Sequence, residues 1–195
     1  VNIADGAIEG FGGLNLSFST VKTGHIPAET RLYGPIVPIT TLRHASDNGR
    51  YITGQSAYGP FLYYLLEDNG GMLYPFRSDA KGHGYQVANN GLVGGAFAGT
   101  QGDVGAYWFE GSMAIPPCDL GCSVNAVTPD GRIIAGYNTK VDPNNASNSI
   151  IIPCTWTLQG DNTWTKEEWA YPANSQQTMI MDISADGTVA VGRTN

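Results

Sequence analysis

Few residues in this 195-residue chain have the types and spacing that chemistry needs. Gly54-Gln55-Ser56-Ala57-Tyr58 has the outline of a nucleophile elbow, but Tyr58 stands where the motif requires glycine, and no strand-to-helix context surrounds it. His25, His44 and His83 are isolated, so a catalytic triad would have to be assembled by the fold. Glu67-Asp68 and Glu167-Glu168 offer paired carboxylates of the kind that cleave glycosidic bonds. Neighbours in a strand point to opposite faces, however, and solvated turn charge accounts for both pairs. Asp130 and Asp186 recur in register and suggest calcium, yet each lacks the alternating oxygen ligands of a calcium loop, and Asx-turn hydrogen bonding suffices to explain them.

Cys118, Cys122 and Cys154 leave at least one thiol unpaired if every disulfide is internal. A 118–122 loop and a bridge to Cys154 both remain open; buried free thiols are the plainer reading. No histidine lies near them in sequence to complete a four-ligand zinc site. The glycine-rich stretches lack the Lys-Ser/Thr step or following helix of a phosphate loop. The sequence therefore assigns no catalytic residue, no cofactor and no metal. Trp164 and Trp169 flank a charged Lys166-Glu167-Glu168, with Tyr171 close behind, and an exposed ring there could stack on a glycan or a protein partner. Together with Asn144 and Asn145 of a polar insertion, these are the candidate ligand-binding residues.

The elements that must position them repeat. Ser46-Asp47-Asn48-Gly49-Arg50-Tyr51-Ile52-Thr53-Gly54 is echoed by Thr128-Pro129-Asp130-Gly131-Arg132-Ile133-Ile134-Ala135-Gly136 and by Ser184-Ala185-Asp186-Gly187-Thr188-Val189-Ala190-Val191-Gly192. A copy one residue shorter is Ala88-Asn89-Asn90-Gly91-Leu92-Val93-Gly94-Gly95. The turn glycines are 42, 40 and 56 residues apart, with repeats starting near 39, 83, 122 and 179 and a weak copy around Asp5-Gly6 within 1–38. Each copy predicts a β-hairpin: Asp-Gly or Asn-Gly supplies the positive φ of the turn, and the apolar runs after it are of the type buried on both faces. The closing Gly54, Gly95, Gly136 and Gly192 either end the strand or admit another backbone at close range. A second strand pair follows each hairpin, with Tyr64, Trp108 and Trp156 at matching positions. Four short strands per repeat of about 40–45 residues predict a β-propeller blade. Thr139 to Asn148 and Thr165 to Gln177 read as loop insertions in the third repeat.

Bulk properties agree with an all-β chain of one domain. Charged residues are 14% of it and glycines number 26, about twice the usual share of roughly 7%. A net charge of -7 with ten scattered basic residues argues against a nucleic-acid partner. No stretch approaches the roughly 20 apolar residues of a membrane-spanning helix. The start at Val1 fits either a processed exported protein or a piece of a longer one.

Asn125-Ala126-Val127-Thr128-Pro129-Asp130-Gly131-Arg132-Ile133-Ile134-Ala135-Gly136-Tyr137, followed by a strand bearing Trp156, resembles the HAF-type extracellular repeats of bacterial surface proteins. The resemblance spans most of residues 40–195 and implies a β-propeller in an extracellular, cell-surface or periplasmic setting; it implies no activity. The Asp-box of sialidase propellers is a poorer match, since Tyr51, Ile133 or Val189 stands two residues after the turn glycine. An arginine triad is also hard to assemble from Arg31, Arg43, Arg50, Arg77, Arg132 and Arg193. The leading expectation is thus a noncatalytic module that binds a surface protein or glycan through blade-connecting loops. The alternatives are a propeller hydrolase or lyase with acids, His or Arg clustered at the central funnel, and a purely structural segment. The fourth repeat stops after its hairpin, so its outer strands are expected from residues 1–40, from a longer chain or from another subunit.

Overall fold

The structure is a computed structural model that describes residues 39–57, 59–65, 71–75, 82–99, 102–110, 112–172 and 175–195. The weak copy at Asp5-Gly6, His25, Tyr58 and the Glu67-Asp68 pair lie outside the described residues. Strands β1 (Ile39–Ala45), β2 (Tyr51–Ser56), β3 (Gly59–Leu65) and β4 (Gly71–Pro75) form sheet A in sequential order. Sheet B takes β5 (Gly82–Val87), β6 (Val93–Gly99), β7 (Gly102–Phe109) and β8 (Ser112–Ala114), and sheet C takes β9 (Gly121–Val127), β10 (Ile133–Asp142), β11 (Asn145–Leu158) and β12 (Trp164–Glu168). Sheet D has two strands among the described residues, β13 (Thr178–Ile183) and β14 (Ala190–Thr194). All pairing within the sheets is antiparallel. The chain is all-β, with no helix among the described residues.

The sheets stack face to face in chain order, and each interface is a separate apolar layer. Val87, Val93, Ala106 and Trp108 meet Tyr51 and Leu62 between A and B. Leu92, Cys122, Val124, Ile134, Cys154 and Trp156 gather between B and C, with Tyr107 and Trp164 at their margin. Ala126, Ala135, Ile180 and Ile183 pack between C and D. Neighbours along β6 face opposite layers: Val93 joins the A–B layer, while a Cβ on Gly94 would press into Val124 and Val127 of sheet C. This is the burial on both faces that the continuous apolar runs predict.

The hairpin turns share one hydrogen-bond network. The Thr128 hydroxyl donates to Asp130 Oδ1 at 2.6 Å, Oδ1 also accepts the Arg132 N–H at 3.0 Å, and Thr128 Oγ1 accepts the Ile133 N–H at 3.0 Å. Ser184 and Asp186 repeat these bonds with Thr188 and Val189, and Ser46 and Asn48 repeat them with Arg50 and Tyr51. In the shorter copy Ala88 lacks the hydroxyl, and only the bond from the Leu92 N–H to Asn90 Oδ1 survives. Of each Asx-Gly pair only the glycine has positive φ, 71° at Gly131, and the Thr128 N–H donates to the Ile133 carbonyl across a four-residue loop.

Three sequence expectations are corrected. Measured from the closing glycine, Ile52, Val93 and Ile134 pair with Tyr63, Trp108 and Trp156, so Tyr63, not Tyr64, matches the tryptophans. Tyr64 instead lies opposite Tyr51 and stacks on it at 5.3 Å. Thr139 to Asn148 is not a loop: β10 and β11 run through it as a hairpin extension, with Pro143 confined to the turn. Beyond Thr139 the sheet loses β9 and becomes a two-stranded ribbon, in which polar residues are tolerated on both faces. Likewise Trp164–Glu168 is β12, the edge strand of sheet C.

Candidate functional site

In all four sheets the first strand carries a β-bulge at the same place. β1 skips a pairing between Leu42 and His44, β5 between Gly84 and Gln86, β9 between Val124 and Ala126, and β13 between Ile180 and Asp182. The extra residues are Arg43, Tyr85, Asn125 and Met181. A bulge opposes two residues to one and re-aims the side chain of the extra one. It also tilts a carbonyl of the first strand onto the second. A Cβ on Gly54, Gly95, Gly136 or Gly192 would overlap the carbonyl oxygen of Thr41, His83, Ser123 or Met179 respectively. The closing glycines therefore serve close approach. They do not end strands, since β2, β6, β10 and β14 all continue beyond them.

The first strands converge. Stacked sheets lie about 10 Å apart, so with C between them B and D should be separated by about 20 Å. Yet Gln86 Nε2 on β5 donates to Asp182 Oδ1 on β13 at 2.8 Å. The stack is thus a fan that narrows toward β1, β5, β9 and β13. Side chains at this narrow edge satisfy backbone groups that no strand covers. The Val87 N–H donates to His44 Nδ1 at 3.3 Å, the Val127 N–H to Gln86 Oε1 at 2.9 Å, and Asn125 Nδ2 donates to the Ile180 carbonyl at 2.7 Å. Each bond joins one sheet to the next, which is how an exposed sheet edge avoids pairing with a foreign strand.

A cavity of about 560 Å³ opens at this convergence. Arg43, Tyr85, Asn125 and Met181 all line it, so the four bulges present one residue each to the same space. His44, Tyr137 and Arg193 add to the wall. Burial lowers the pKa of His44 below the ordinary imidazole value, against the opposing pull of Asp47 and Asp182. Its Nδ1 accepts from Val87, so the neutral ring carries its proton on Nε2 and is a hydrogen-bond donor there. The Arg43 guanidinium lies 5.8 Å from the centroid of the Tyr85 ring, and the His83 ring stacks on Tyr85 at 5.9 Å. Arg193 Nε donates to Met179 Sδ at 3.3 Å.

The residues singled out from the sequence lie elsewhere and do not form one site. Asn144 sits in the exposed β10–β11 turn, where its N–H donates to Asp142 Oδ1 at 2.8 Å, and Asn145 opens β11. Trp164 pairs with Leu158 at the opposite end of β11, about 40 Å of strand away, and its ring packs at 5.2 Å against Tyr107. Trp169 donates from Nε1 to Thr155 Oγ1 at 3.1 Å and packs on the C–D layer. Tyr171 is exposed. The Asp130 and Asp186 carboxylates are engaged in their turns. Asp186 is held down to about 2 by the Ser184 hydroxyl and the Thr188 N–H and hydroxyl. Cys118, Cys122 and Cys154 are free thiols, and burial raises the pKa of Cys122 and Cys154, which leaves them unreactive.

Motif reading of the sequence misses the bulge residues because motifs are defined by what recurs, and these side chains do not. Arg43, Tyr85, Asn125 and Met181 each stand three positions before the first turn residue, Ser46, Ala88, Thr128 and Ser184. Four unlike side chains at one register position, each two residues before the matching apolar Ala45, Val87, Val127 and Ile183, was the available signal. No family model matches the chain, and neither a curated protein nor a solved structure matches it.

Proposed function

We propose that this chain is a noncatalytic binding module, built of β-propeller-type blades and working outside the cell, and that it takes its ligand in the cavity where the first strands converge. The observation that carries the reading is the aim of four bulged residues, one from each sheet, into one space. A scaffold alone has no use for that, whereas bulges commonly re-aim side chains next to functional sites. The volume suits one small polar unit, such as a sugar ring or the end of a chain. The repeat spacing, the sequential four-stranded sheets and their fan-like convergence support blades. The resemblance to surface-protein repeats supports the extracellular setting. No helix of the described residues is long and apolar enough to cross a membrane.

Screening the intact chain against glycans and surface-protein extracts tests this, with Met181→Trp to fill the cavity and an Asn144→Ala, Asn145→Ala pair as comparison. The expected result is binding that Met181→Trp abolishes and the tip variants leave intact. The reverse pattern would return the site to the loops and overturn the cavity reading.

One observation favours a hydrolase or lyase instead: Arg43, His44 and Arg193 share the cavity. Against it, His44 in its present tautomer offers a donor rather than a base, and no Asp or Glu lines the cavity among the described residues. Turnover of a bound ligand, lost in His44→Gln while binding persists, would establish the enzyme reading.

A further inference from the structure

We propose that the ligand of this cavity carries a carboxylate group, held by the guanidinium groups of Arg43 and Arg193 with the His44 Nε2–H as an additional donor. The proposal rests on the cavity being the binding site.

The charge of the wall runs against the charge of the chain. The protein has 17 acidic and 10 basic residues, yet the cavity is lined by two arginines and, among the described residues, by no Asp or Glu. These arginines come from the first strand of sheet A and the second strand of sheet D, far apart in sequence. Neither meets a carboxylate within ion-pair distance among the described residues. Each is steadied by a soft contact instead, Arg43 by the Tyr85 ring and Arg193 by a thioether, which is a weak acceptor. A guanidinium has five N–H donors, and among the described residues most of the donor capacity of both groups is not taken up. Two acids, Asp47 and Asp182, act on His44 from outside the lining, and Asp182 Oδ1 already accepts from Gln86 Nε2 and the Ile183 N–H.

The rest of the wall selects among anions. Met179, Met181, Tyr85 and Tyr137 give it an apolar share that an inorganic anion would not use, and the planar guanidinium fork matches a carboxylate in two-point contact. The volume of about 560 Å³ lies in the range of pockets that take small organic ligands. A carboxylate of that size comes either from an acidic sugar or from a simple organic acid or peptide end, and both present the same group to the arginines.

Calorimetric titration of the intact chain with D-galacturonate, D-galactose, succinate, glycylglycine and sodium sulfate, each up to about 10 mM, reads the affinity range in which a single small unit binds. Saturable binding of at least one carboxylate is expected, weakened about tenfold or more by Arg43→Gln or Arg193→Gln. Arg43→Lys should fall between wild type and Arg43→Gln, because a point charge replaces the fork. Added salt should weaken binding. A preference for galacturonate over succinate and glycylglycine identifies a sugar acid as the source; the opposite preference identifies a simple acid or peptide end. Absence of binding by every carboxylate tested, equal affinity for D-galactose and D-galacturonate, or sulfate binding as tight as any carboxylate would each overturn the proposal. If binding survives the arginine variants but is blocked by Met181→Trp, the carboxylate assignment falls and the cavity reading stands. If carboxylate binding survives Met181→Trp as well, the cavity reading itself falls.

Discussion

The hairpin turns and the bulges both recur at matching register in the four sheets, and they treat side chains in opposite ways. At the turns identity recurs along with geometry: hydroxyl, Asx and glycine appear together at Ser46, Thr128 and Ser184, with the same hydrogen bonds. At the bulges geometry recurs while identity does not, giving Arg43, Tyr85, Asn125 and Met181. A residue dictated by the backbone must be the same wherever that backbone recurs. A residue free to differ there is available to a ligand. Recurrence therefore marks scaffold here, and divergence on a recurrent frame marks the site.

The largest effect should come from the glycine that makes a bulge possible. Gly136→Ala puts a Cβ onto the Ser123 carbonyl oxygen, and both partners are backbone, so neither can swing aside. A loss of about 3 kcal/mol or more in urea denaturation is expected. Gly160→Ala, with nothing within 4 Å of the added carbon, should stay within about 0.5 kcal/mol of wild type. Equal effects of the two would break the link between closing glycine and bulge.

Next come the turns. Thr128 is buried, and Thr128→Val strips the acceptor from the Ile133 N–H and the donor from Asp130, at an expected cost of about 2 kcal/mol. Ligand binding should be unchanged. The turns also differ among themselves in pH response. Asp186 is held at about 2 when folded against 3.8 for a free carboxyl, so its ionised form adds stability above that free value and loses it as pH falls toward 2. Asn48 makes the equivalent bonds with a neutral amide. Asp186→Asn should thus retain the turn and flatten part of the loss of stability in that acid window, read as the urea midpoint against pH. An unchanged acid slope would remove Asp186 as a contributor.

Most of the frame was legible because it depends on local rules. Asp-Gly turns, apolar runs and their spacing predict the order of strands within each sheet, while the glycine after each run leaves open a strand end or a close approach of backbone, which the carbonyl contacts decide. The identity of the turn acids as Asx hydrogen-bond acceptors was equally readable. The cavity was not, because bulges shift register by one residue without altering composition, and the convergence of β5 on β13 depends on contacts between residues 96 apart. Tyr64 was misplaced for the same reason: counting from the aromatic cannot see the pairing that sets Tyr63 opposite Ile52. The ribbon through Thr139 to Asn148 was missed because polar composition excludes a central strand but not a two-stranded one.

At the bulges themselves the contrast predicts small stability effects with large binding effects. Arg43→Gln and Met181→Leu replace exposed side chains and should each change stability by less than about 0.5 kcal/mol. Asn125 is the instructive exception, because its Nδ2 also bonds the Ile180 carbonyl across to sheet D. Asn125→Ala should cost about 1 kcal/mol in the same measurement. A cost of that size at all four positions would make the bulges scaffold after all.

The smallest effect belongs to the β10–β11 ribbon, which holds Asn144 and Asn145. Past Thr139 these strands pair only with each other, and residues 143–149 are exposed, so the ribbon contributes no apolar layer to any sheet interface. A lone two-stranded hairpin is marginal in water, and its hydrogen bonds should open locally without the rest of the sheet. Replacing residues 142–148 by Asn-Gly, which keeps Val141 opposite Ser149, is expected to leave the urea midpoint and binding in the cavity unchanged. Hydrogen exchange should show Val141 and Ser149 opening faster than Ala135 and Thr155, which pair in the four-stranded part of the same sheet. If the shortened chain instead loses its ligand, the ribbon reaches the site from outside, and divergence in loop length matters to recognition as much as divergence at the bulges.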